Sequence, residues 1–221
     1  MGQMITLVAA DGHTFNAYRA EPKDKPKGGL VIIQEIFGLT DQIKRTGDRF
    51  ADAGYLAIVP AMFDRIEPGL TFTYREAPKG IAIVQRLEQR STLADLEAAR
   101  GAAAEGGKTA IMGYCWGGTL AYLGAARGWF DAAVSYYGGG VSRLMGEMKP
   151  KVPVLYHFGE TDGHIPLSDV EKIAAGDPDG IVHVYEGADH GFVCDDRASY
   201  NAAATELSEK RTLAFLAEHL K

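Results

Sequence analysis

Apolar and polar positions alternate in two registers along this chain. Met4 to Val8 and Thr14 to Arg19 read as strands on either side of Asp11-Gly12, a pair that favours a tight hairpin turn, so the chain is expected to open with two antiparallel strands. Pro22-Lys23-Asp24-Lys25-Pro26-Lys27 then reads as an exposed loop. Gly29-Leu30-Val31-Ile32-Ile33-Gln34 is apolar without alternation, the signature of a strand covered on both faces in a parallel sheet. A helix is expected from about Thr40 to Ala53, with Ile43 and Phe50 on its apolar side; Gly54 stops it, and Tyr55 to Val59 forms the next strand. Residues 61–78, with scattered aromatics, Pro68 and Gly69, read as a loop. Helices are expected over 79–89 and 92–105, then strand 108–112, helix 116–127, strands 131–137 and 152–158, helix 167–175, strand 181–185 and a last helix over about 197–219. Strands alternating with helices of this size predict βαβ units and a mostly parallel sheet with helices on both faces.

The 221 residues show no internal repeat, low-complexity tract or linker, so residues 1–221 are expected to form a single α/β domain. Hydrophobic residues at 46% and charged residues at 24% are ordinary for a soluble protein. A net charge of -6 argues against nucleic acid as a partner. Met1-Gly2-Gln3-Met4 lacks the charged and apolar regions of a signal peptide, and no apolar run reaches membrane-span length. Two cysteines make no disulfide framework, and metal-ligand spacing is absent. A cytoplasmic protein without cofactor or metal is the simplest expectation.

Chemistry concentrates where strands end. After Lys108-Thr109-Ala110-Ile111-Met112 comes Gly113-Tyr114-Cys115-Trp116-Gly117-Gly118, followed by a helix-favouring run. Strand, Gly-x-nucleophile-x-Gly, helix is the nucleophile elbow of α/β-hydrolases, here with cysteine where serine is usual. A βα turn around a small buried cysteine would have the same composition. Two further strand ends carry Gly159-Glu160-Thr161-Asp162-Gly163-His164-Ile165-Pro166 and Gly187-Ala188-Asp189-His190-Gly191-Phe192. The order nucleophile, acid, histidine is that of α/β-hydrolases. A thiol near pKa ~8.5 needs a base, which His190 can supply. Asp162 would orient its ring. His164 is the rival base and Asp189 the rival acid, the one on the acid loop, the other poorly oriented as the neighbour of His190.

Gln34-Glu35-Ile36-Phe37-Gly38, the elbow, the Asp162 loop ending in Pro166, and His190-Gly191-Phe192 together resemble the dienelactone hydrolase (carboxymethylenebutenolidase) family over nearly the whole chain. The resemblance implies a Cys115-His190-Asp162 triad and an oxyanion hole from the backbone N–H groups of Ile36 and Trp116. It gives Glu35 the role of pairing with the resting thiol until substrate binding frees the sulfur. It also implies a carboxylate-bearing small ester or lactone, such as a dienelactone from aromatic breakdown, held by arginines. Some members place arginine four residues after the histidine, where this sequence has Cys194; Arg197 and Arg75 are the substitutes. Phe63, Phe72, Tyr74, Trp116, Tyr136 and Tyr137 suggest an apolar pocket, with Tyr137 among the substrate-binding residues. A broader carboxylesterase or thioesterase on the same triad is the alternative. A thiol redox protein using Cys115 and Cys194, or a non-catalytic binding protein, are readings from other classes.

Overall fold

The computed structural model describes residues 2–221 and divides the chain into two compact units at Thr109. The first holds strands β1 (Gln3–Val8), β2 (Thr14–Ala20), β3 (Gly29–Ile33) and β4 (Leu56–Pro60), with helices α1 (Asp41–Asp52), α2 (Ala77–Arg86) and α3 (Gln89–Ala103). The second follows β5 (Thr109–Tyr114) with α4 (Trp116–Arg127), β6 (Ala132–Tyr136), α5 (Val141–Glu147), β7 (Val154–Gly159), α6 (Leu167–Gly176), β8 (Ile181–Tyr185) and α7 (Ala202–His219). This is the expected α/β fold. Among the described residues, no helix is long and apolar enough to cross a membrane.

In the first unit the strands run in the order β1-β2-β4-β3. The expected hairpin pairs antiparallel from Gln3 opposite Arg19 to Val8 opposite Thr14. β2 continues antiparallel onto β4, and β3 joins β4 in parallel. Every residue of β3 and β4 is buried, as unbroken apolar runs require when both sheet faces are covered. Helix α1 starts where Thr40 caps the N–H of Ile43, and its buried side carries Ile43, Phe50 and Ala51.

An ion-pair clasp ties this unit together. Arg65 grips Asp95 of α3 with two bonds of 2.7 Å and reaches Asp11 of the hairpin turn at 2.9 Å. The Asp95 side chain is only 2% exposed. Burial pushes its carboxyl above the usual range, against the opposing pull of Arg65. Removing one partner of a buried pair typically costs about 3–5 kcal/mol. Arg65 would keep Asp11, so Asp95→Ala is expected to destabilise by about 2 kcal/mol, read as a lower urea midpoint at unchanged slope. Replacing both partners, as Arg65→Met with Asp95→Leu, is expected to cost less than Asp95→Ala alone.

In the second unit β5, β6, β7 and β8 are parallel neighbours in that order, so their carboxyl ends share one edge. Strands β5, β6 and β7 are buried throughout, whereas β8, last in the order, is partly exposed. Helix α4 ends at Gly128, whose φ of 69° is the left-handed conformation that glycine adopts without strain. Helix α7 is anchored on a buried polar cluster. His157 of β7, 0% exposed, bridges the Tyr185 hydroxyl at 2.7 Å and Thr212 of α7 at 3.0 Å. Burial holds that imidazole well below its ordinary pKa.

Helices α2 and α3 each begin two or three residues earlier than expected, at Ala77 and Gln89, and two larger differences stand out. Helix α5 was not anticipated. The last helix begins at Ala202 rather than near 197, because Asn201 caps it by accepting the Ala204 N–H at 3.1 Å, while residues 195–200 turn before it.

Candidate active site

The shared edge of β5 to β8 gathers the chemistry of the second unit. Cys115 follows β5 immediately and is the first residue before α4. Its φ of 55° and ψ of −116° are strained for a residue with a side chain. The turn is pinned by the Cys115 N–H donating to the Tyr136 carbonyl at 3.0 Å. A side chain at Gly113 would run into the backbone of Gly117, and one at Gly118 into the Tyr136 carbonyl. Strand and helix therefore close on each other only with glycine at these two positions, and the closure lifts Cys115 clear. Cys115 is half-buried rather than sealed in the core.

The acid loop leaves β7 and the histidine loop leaves β8. Backbone and side chain of Thr161 both donate to the Ala188 carbonyl, at 3.0 and 2.9 Å, and Glu160 accepts the Gly187 N–H at 2.9 Å. With the loops tied, Asp162 Oδ2 meets His190 Nδ1 at 2.8 Å. Asp162 Oδ1 accepts the backbone N–H groups of His164 and Ile165 at 2.8 and 3.2 Å. The carboxylate is fixed from both sides. His190 also hydrogen-bonds Cys115 through its side chain. Asp189 turns back to accept the His190 backbone N–H at 2.6 Å, so its carboxylate orients the main chain rather than the ring.

The charges follow from this series. Burial alone would lower the His190 pKa, but hydrogen bonds and opposite charge from Asp162 and Cys115 raise it to about 10. Burial works to raise Asp162, yet the His190 contact and two backbone N–H donors hold it below its ordinary value. The signs fix a pH window. The His190 contribution to stability is complete below its unfolded pKa near ~6.5 and is lost as pH rises through about 10. The Asp162 contribution is complete above its unfolded pKa near ~3.9 and is lost as pH falls through its depressed folded value. Nitrogen-15 NMR is expected to find the His190 imidazole protonated well above pH 8, and Asp162→Asn to bring its titration down.

Other predicted residues of this unit lie close by. Trp116 opens α4 and is half-buried. Tyr137, placed among substrate-binding residues by the sequence, is 1% exposed, with a φ of 38°. Its N–H donates to the His157 carbonyl at 2.7 Å, and its ring lies 4.9 Å from that of His190. Arg197 is half-buried with its guanidinium over Gly191, next to His190. Cys194 is 2% exposed. One neighbour, read from the sequence only as the rival base, takes a different place: the exposed His164 ring lies 5.0 Å from the His190 ring, edge to face. Its position two residues after Asp162 was the available signal.

Three predicted residues belong to the first unit. Glu35 and Ile36 are half-buried just beyond β3. Gln34 supports them, accepting the Met62 N–H at 3.2 Å and donating to the Glu35 carbonyl at 3.3 Å. Gly80 of α2 lies against the Ile36 carbonyl, where a Cβ would collide. Phe37 accepts the Phe72 N–H at 2.9 Å and meets Tyr74 edge-on at 4.9 Å. Arg75 is exposed on the turn Tyr74–Glu76.

A thiol, an imidazole and a buried carboxylate in series, with the thiol on a strained strand-to-helix turn, can generate a nucleophile and return a proton to a leaving group. Comparison with known proteins identifies the family to which the chain is similar. The Dienelactone hydrolase family matches residues 15–220. A carboxymethylenebutenolidase of Pseudomonas putida is 35% identical over 224 residues, covering 96% of this chain and 95% of its own. A crystal structure of a candidate dienelactone hydrolase from Klebsiella pneumoniae subsp. pneumoniae MGH 78578 superposes with a TM-score of 0.83 at 29% identity, covering 98% of this chain and 99% of that one. The dienelactone hydrolase-like promiscuous phosphotriesterase P91 from metagenomic libraries shares the fold, with a TM-score of 0.74 at 22% identity over 99% of this chain and 98% of that one.

Proposed function

The chain belongs to the dienelactone hydrolase family and is a hydrolase of ester or lactone bonds; from that premise we propose that it opens a small enol-lactone through a cysteinyl acyl-enzyme, with residues 1–221 acting as one catalytic domain. The observation that carries this reading is the series Cys115, His190, Asp162, with Asp162 2.8 Å from the ring and Cys115 hydrogen-bonded to it.

The sulfur of Cys115, as thiolate, attacks the carbonyl carbon. A C–S bond forms and the carbonyl electron pair moves onto oxygen. The backbone N–H groups of Ile36 and Trp116 stabilise that oxyanion, commonly the largest electrostatic contribution in acyl transfer. Collapse breaks the ring C–O bond, and the imidazolium of His190 gives its proton to the departing oxygen. Water then loses a proton to His190 and attacks the thioester; the C–S bond breaks, leaving a carboxylic acid and the thiolate. Glu35 offers the thiol an alternative, inactive partner, and substrate binding favours the arrangement in which Cys115 meets His190. Arg75 and Arg197 bind a substrate carboxylate, and Tyr137 belongs to the same substrate region.

The test is steady-state hydrolysis of cis- and trans-dienelactone, followed by the loss of their ultraviolet absorbance. Turnover is expected, with KM rising severalfold or more in Arg197→Ala while the neutral ester 4-nitrophenyl acetate is little affected. A folded, reduced wild type that leaves both dienelactones intact would remove this substrate. Neutral esters and thioesters on the same three residues would then be next.

A further inference from the structure

Resting on that reading of Cys115 and His190, we infer that His164 is a specificity-determining residue that selects the leaving-group side of the substrate, favouring leaving groups that carry a negative charge. His190 is engaged at Nδ1 by Asp162 and by Cys115 through a second side-chain hydrogen bond. One flank of its ring is taken by Tyr137, which is buried. Beside the ring at 5.0 Å, with planes 76° apart, stands His164, which is exposed.

The placement of His164 is not incidental to the loop. Its backbone N–H donates to Asp162 Oδ1 at 2.8 Å, so the bond that fixes the acid also fixes this residue. The imidazole itself spends neither nitrogen on the protein among the described residues. A polar ring held against the base, open to solvent and without a protein partner, is available to a ligand.

Proton transfer decides which part of the ligand it meets. A general acid must come within about 2.6–3.2 Å of the atom it protonates. The departing oxygen therefore sits at the His190 ring, and substituents on that oxygen extend past it. The His164 ring, centred 5.0 Å from that of His190, is near enough to reach substituents that extend past the base on its side. Its N–H groups, and its charge when protonated, then favour an anionic group over a neutral one.

The experiment compares two aryl acetates with the same acyl group, 4-carboxyphenyl acetate, which is anionic, and 4-acetylphenyl acetate, which is neutral; any difference in phenol acidity is common to all variants. The readout is the ratio of their kcat/KM values in wild type, His164→Lys, His164→Gln and His164→Glu. Disturbance of the triad slows both esters alike and cancels in this ratio, which a purely structural role would leave unmoved. The ratio is expected to fall in the order Lys, His, Gln, Glu, by about three- to fivefold per unit of charge, the ceiling for an exposed ion pair. High salt is expected to compress the series. A ratio unchanged across all four residues overturns the inference, and if Cys115→Ala then abolishes hydrolysis of both esters, the proposed function still stands. Hydrolysis that survives Cys115→Ala overturns both.

Discussion

Cys115→Ala is expected to abolish hydrolysis, lowering kcat by about four to six orders of magnitude while the protein stays folded. Removal of an activated nucleophile in a comparable protease costs about 2 × 10⁶ in kcat, and what survives comes from oxyanion stabilisation and binding. Alanine at this position removes the sulfur and keeps the Cβ, so the strained turn and its bond to the Tyr136 carbonyl persist. Activity loss with an unchanged far-ultraviolet spectrum is therefore the expected pair of observations. Cys194→Ala is the matched control: 2% exposed and outside the Cys115–His190–Asp162 series, it is expected to retain turnover. Equal loss in both variants would revive the two-cysteine redox reading. Retained activity in Cys115→Ala would end the acyl-enzyme mechanism outright.

The second large effect is expected at Asp162. Asp162→Asn keeps the volume and leaves an oxygen to accept the His164 and Ile165 N–H groups, so the loop is expected to hold. The His190 side changes in kind. An amide has no charge to stabilise imidazolium, and where its NH₂ faces Nδ1 it imposes the wrong tautomer. In the chymotrypsin case the same exchange lowers kcat about 10⁴-fold. The thiol here is intrinsically more acidic than a serine hydroxyl and leans less on its base, so a fall of about 10²–10⁴ is expected. Stopped-flow acylation with an activated ester would measure it, and loss of the elevated His190 titration should accompany it. A variant as fast as wild type would reduce Asp162 to a turn residue.

Much of this architecture is legible in the sequence because its signals are local and unbroken. The helix at 116–127 and the strand at 181–185 fall where the pattern puts them, bounded by glycine and by a change of period. Helix α5 escapes because Gly138-Gly139-Gly140 before it and Gly146 inside it read as loop, although Val141, Leu144 and Met145 have helical spacing and are its buried residues. The early start assigned to α7 fails because capping by Asn201 outweighs the propensity of residues 197–200.

The order of cysteine, aspartate and histidine was readable from strand ends. The packing of His164 on His190 was not, because it depends on how two loops are laced through Thr161 and Glu160. Nor could sequence choose Asp162 over Asp189 on bonding grounds. That distinction rests on which carboxylate faces the ring and which faces the main chain.

The conformation of Cys115 carries a consequence for how this protein can change over generations. A left-handed backbone at a residue with a Cβ costs on the order of 1–3 kcal/mol, and glycine alone would relieve it. Glycine carries no nucleophile. The cheapest stabilising substitution at the elbow is thus the one selection for hydrolysis must reject. A lineage released from that selection would be free to take it, so glycine at this position in a relative would mark the retirement of the site rather than the decay of the fold.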